Sequence, residues 1–100
     1  MNSAIASASV ERKDFRARIV LLEAEIETAL TLVRLAEAET RGGDRRHAAQ
    51  LIAKAIVTYE TVTRELRSLA LERQNDSELN IEARQLLEAI RGAERQFQTV

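Results

Sequence analysis

The chain has 100 residues, of which 45% are apolar and 31% charged, with three aromatics and a formal net charge of −1. That is the length of one domain, and the near-neutral charge speaks against a general pull toward nucleic acid or an anionic membrane. The absence of cysteine excludes a disulfide framework and thiolate metal sites, while zero prolines and three glycines are the composition of long helices.

Residues 1–8 are read as a disordered tail, and the opening MNSAIASASV lacks the basic segment and apolar run of a signal peptide. A first helix is expected to begin near Ser9, an N-cap with Glu11 in the first turn. From there Phe15, Ile19, Leu22, Ile26, Ala29, Val33 and Ala36 step by fours and threes, a heptad stripe. Leu21, Leu32 and Leu35 widen it, so this helix is expected to touch more than one neighbour.

The run ending Glu39-Thr40-Arg41 meets Gly42 and Gly43, residues that take the left-handed conformation closing a helix without steric penalty. Asp44 follows, placed to accept from the free N–H groups of a new helix and to suit its positive end. So short a stop and start predicts an antiparallel helical hairpin. In the second helix, about 44–74, Ala48, Ile52, Ala55, Tyr59, Val62, Leu66 and Leu69 repeat the stripe. Thr58, Thr61, Val62 and Thr63 are mediocre helix formers, so tertiary packing must hold that middle. Asn75-Asp76-Ser77 reads as a turn, and a third helix over about 78–97 carries Leu79, Ala83, Leu86, Ile90, Ala93 and Phe97.

These patterns predict an all-α fold, an up-down-up three-helix bundle over residues 9–98 built on a long antiparallel hairpin. At 1.5 Å per residue the first two helices come to about 45–48 Å and the third to about 30 Å. The third is therefore expected to stop short of the corner and leave Leu32, Leu35, Leu51 and Ile52 without internal cover. Such a strip invites a partner helix or a second copy of the chain.

The hairpin residues Leu32, Leu35, Ala36, Gly43-Asp44, Ala48, Ile52 and Ala55 resemble a single tetratricopeptide helix pair. They are also similar to the microtubule-interacting-and-trafficking domain, a three-helix module. What the resemblance implies is a protein that binds short partner helices. The match covers about 30 residues; Glu39 replaces an aromatic, Glu60 a proline, and no second copy follows at a period of about 34 residues.

Catalytic signals are absent from the sequence. His47 is the sole histidine, and Asp44-x-x-His47 alone is not the paired Glu-x-x-His set of a di-iron bundle. Neither a nucleophile elbow nor a phosphate loop is present. The carboxylates alternate with arginines at helical spacing (Asp14–Arg18, Glu37–Arg41, Glu60–Arg64, Arg84–Glu88), the mark of solvated faces. The expectation is thus a non-catalytic protein–protein interaction module without metal or cofactor. Its contacts would be Leu32, Leu35, Leu51 and Ile52, flanked by Arg41, Arg45 and Arg46, and a bacterial cytoplasmic setting is the expected one. The alternatives are a structural homo-oligomer assembled through the heptad stripes and, third, a nucleic-acid-binding regulator resting on arginine clusters at the corner and around Arg12–Arg18.

Overall fold

The computed structural model describes the backbone of residues 3–71 and 77–99 and the side-chain surroundings of 13–70 and 77–98. Three α-helices make up the described chain: α1 (Ser3–Gly42), α2 (Arg45–Leu71) and α3 (Ser77–Thr99). They pack side by side in a rod of 65 × 17 × 16 Å, each helix against both others.

α1 starts at Ser3, six residues before the expected N-cap at Ser9, so the segment read as a disordered tail is helix from Ser3 onward. The reason is local: Ala4, Ala6 and Ala8 are the best helix formers, and nothing between Met1 and Ser9 breaks a helix. With 40 residues α1 is about 60 Å long, against about 40 Å for the 27 residues of α2 and about 34 Å for the 23 of α3.

The corner forms as its residues dictate. Gly43 has φ of 89°. Its N–H donates to the Thr40 carbonyl at 3.2 Å, and the Asp44 N–H to the Glu39 carbonyl at 2.9 Å. These two bonds are the paired closure that ends a helix on a left-handed residue. Asp44 at once caps α2: its carboxylate accepts the His47 N–H at 3.1 Å, and its carbonyl the Ala48 N–H at 3.1 Å. Thr40, buried at 2% exposure, returns its hydroxyl to the Ala36 carbonyl at 2.8 Å, so the polar group costs the core nothing.

The three expected stripes are the core. Leu22, Ile26, Ala29, Val33 and Ala36 of α1 are buried against Ala48, Ala55, Val62 and Leu69 of α2 and Leu79, Leu86 and Ile90 of α3. Phe15, Ile19, Tyr59 and Phe97 are partly buried at its edges. In the threonine-rich middle of α2 the hydroxyls of Thr58, Thr61 and Thr63 bond the carbonyls of Lys54, Val57 and Glu60. Fully buried Ala55 and Val62 hold that stretch in place. Arg18, about four turns into α1, pairs with Glu65 in the last two turns of α2 at 3.4 Å.

The reach of α3 differs from expectation. Phe97 lies beneath the guanidinium of Arg45, 4.3 Å from ring centre to carbon, so α3 extends to the first residue of α2 and roofs the corner. Of the expected turn 75–77, only Ser77 falls within the described residues, and it opens α3.

Candidate interaction surface

The corner strip is not the open groove that the helix lengths predict. Leu51 and Ile52 are 5% and 7% exposed and belong to the chain's own core. The correction has a simple cause: α3 covers the segment expected to lie beyond its end. Leu32 is half-buried and packs on the core, and Leu35 alone of the four is open, at 47% exposure. The three arginines also separate in role. Arg45 is engaged by the Phe97 ring, a contact worth about 0.5–1 kcal/mol at an exposed site. Arg41 and Arg46 are exposed.

Beside them Glu39, Asp44 and His47 bring two carboxylates and an imidazole together, with ligand atoms within 4.8 Å of one another. Each donor already serves the corner: Asp44 caps α2, and Glu39 faces the His47 Nδ1 at 3.4 Å. Arg41, Arg45 and Arg46, close by in sequence, make the surroundings unfavourable for a cation.

A different surface stands out once burial is known. Among the described residues the exposed large apolar side chains are Val20 (64%), Leu21 (59%), Leu35 (47%), Val57 (62%) and Ile81 (58%). Three of the five lie on α1. At 100° per residue, Leu35 lies about 140° and Leu21 about 100° round α1 from the middle of the core stripe Leu22–Ala36, so both stand outside it, on one side of the helix. Between them and beyond, Ala24, Thr28, Thr31 and Ala38 share that side, all exposed. From Ala17 to Ala38 no charged residue interrupts the row. Thr31 turns its hydroxyl to the Glu27 carbonyl at 3.1 Å, which leaves its methyl group to face outward. A shallow depression of about 450 Å³ lies along this row, lined by Ala24, Glu27, Thr28, Leu30, Thr31 and Arg34. α1 is therefore amphipathic twice over, with a second heptad row about 150° round from the first.

The signal that finds this row is in the sequence. Leu21, Ala24, Thr28, Thr31, Leu35 and Ala38 step by three and four as regularly as the core stripe does. Reading Leu21 and Leu35 only as a widening of the inner stripe hides it.

Between α2 and α3 two grooves remain. One, of about 300 Å³ near the corner, is lined mainly by Ala49, Ile52, Ala53, Ile56 and Phe97. The other, of about 350 Å³, runs from Tyr59 to Ala70 against Asn80 to Leu87 and carries Arg67 and Arg84 on its rim. Both are the ordinary seams of a two-helix contact. Among the described residues, no helix is long and apolar enough to cross a membrane. Comparison of the chain with protein-family models, with curated proteins and with solved structures found no match.

Proposed function

We propose that this protein is a non-catalytic interaction module that docks an α-helix along the outward face of α1, in a cytoplasmic setting compatible with a chain free of cysteine. The single observation that carries the reading is the uncharged row from Ala17 to Ala38, with Leu21 and Leu35 standing 59% and 47% exposed in it. A helix that leaves large apolar side chains in water outside its own core stripe gains free energy by receiving another helix there. The heptad spacing is the spacing such a contact uses. The corner strip is replaced in this role because Leu51 and Ile52 are already enclosed.

The test is site-specific photocrosslinking in the source cells. A photoreactive residue replaces Thr28, at the centre of the row, or Glu88, exposed on α3. The expected result is a discrete protein adduct from position 28 and none from position 88. Adducts from 88 alone, or the same adducts from both positions, overturn the reading.

A further inference from the structure

We infer that the helix received on the outward face of α1 is α1 of a second copy of this chain, lying antiparallel. This deepens the docking reading above and rests on it. The argument comes from the row and its flanks. Align two copies so that Thr28 of one faces Thr31 of the other. The same register then sets Leu21 against Ala38 and Ala24 against Leu35, each layer occurring twice by the two-fold symmetry. Every leucine meets an alanine, so the helices approach closely without a void or a clash.

Charge picks the same register. In an antiparallel pair the residues one step before the first seam position face their own kind across the interface. Here that places Glu27 of each copy beside Arg34 of the other, two opposite-sign pairs. Both residues line the depression over the row. On the other flank Arg18, which pairs with Glu65 in its own chain, lies across from Glu39, again of opposite sign. Val20, 64% exposed, lies along the aliphatic stem of Arg41. No like charges meet. A parallel pairing does worse. It stacks leucine on leucine and alanine on alanine and brings Lys13 beside Arg18, whereas a glutamate beside Leu32 is common to both arrangements, Glu27 in the parallel and Glu25 in the antiparallel. Its one kind of opposite-sign contact, Arg34 with Glu39, occurs twice by symmetry, whereas the antiparallel register has two kinds, Glu27 with Arg34 and Arg18 with Glu39, each occurring twice.

Geometry does not obstruct the pairing. The middle of the row lies about 150° round α1 from the core stripe that meets α2 and α3, so the two bundles fall on opposite sides of a central α1 pair. Self-complementarity of both layers and charges is what an isologous contact requires, and it is why the occupant is the chain itself rather than an unrelated helix.

Sedimentation equilibrium of the full chain tests this. The wild type is expected at twice the chain mass. Glu27→Arg or Arg34→Glu alone puts like charges in both flank pairs and weakens the dimer about tenfold. An equal mixture of the two single variants, and the double variant Glu27→Arg/Arg34→Glu, both return to wild-type association. In a parallel pair the double variant would instead set the carboxylate introduced at position 34 against Glu39 and stay weak. Circular dichroism of each variant checks that helicity is unchanged.

A wild type that stays monomeric at every concentration overturns the second-copy inference. The docking reading then stands if position 28 still crosslinks to another protein, and falls with it if position 28 yields nothing. A dimer indifferent to the single charge reversals, or one not recovered by mixing them, also overturns the proposed pairing.

Discussion

At position 43 the backbone takes a conformation that only glycine adopts without strain, and the whole hairpin turns on it. A Cβ built there meets nothing within 4 Å, so the cost of a side chain is backbone strain alone. Gly43→Ala is expected to lower stability by about 1 kcal/mol. That corresponds to a melting temperature lower by about 4–8 °C for a domain of this size. Gly42 is the last helical residue and equally open, so Gly42→Ala should be neutral or stabilise by up to about 1 kcal/mol. Urea denaturation of the two variants side by side decides the point, and equal losses would mean the helix does not end on Gly43. The Gly-Gly-Asp corner and the capping role of Asp44 were legible because each rests on single-residue chemistry. Which glycine takes the left-handed place was not, since both positions carry the same residue type. Nor was the burial of Thr40, a polar residue whose hydroxyl is satisfied by its own helix.

α1 shows where pattern reading succeeds and where it stops. Its inner stripe was legible because Leu22, Ile26 and Val33 are unambiguous core residues recurring at heptad steps. The outer row is written in alanine and threonine, residues that serve equally on a solvated face, and only its two leucines mark it. Grouping Leu35 with Leu51 and Ile52 follows from taking the reach of α3 from its stripe and rise per residue alone. The periodicity of a helix tells which residues share a side, but which end of one helix meets which residue of another is a tertiary quantity. Burial separates these leucines and isoleucines into two kinds, and a charge tests the division. Ile52→Glu introduces an unpaired carboxylate into the core and should cost more than about 3 kcal/mol, enough to abolish a cooperative transition in a marginal domain. Leu35→Glu, at 47% exposure, should leave the stability of the isolated monomer within about 0.5 kcal/mol. Unfolding curves recorded at concentrations low enough to exclude association check both, and a large loss from Leu35→Glu would make that residue a core contact.

At the scale of the molecule the three helices share one core rather than two adjoining ones. Buried residues from all three form a single cluster, and each helix packs on both others. The hairpin α1–α2, despite its well-made corner, is therefore not a stable unit with α3 as an attachment. Removing α3 would uncover Ile26, beside Glu82 and Gln85, and Ile52, beside Phe97, while discarding Leu79, Leu86 and Ile90, each buried to 2% exposure or less. At about 1.5–3 kcal/mol for each large apolar side chain, those three alone contribute about 4.5–9 kcal/mol, comparable with the lower part of the 5–15 kcal/mol by which domains are usually stable. The ion pair Arg18–Glu65 cannot compensate: its side chains are 33% and 46% exposed, where such a pair contributes about 0–1 kcal/mol. A chain ending at Leu71 is thus expected to lose the sharp urea transition of the full chain and to melt gradually from partial helicity. A truncated hairpin that unfolds in a cooperative transition at the urea midpoint of the full chain would show that α3 is a cover and not a third of the core.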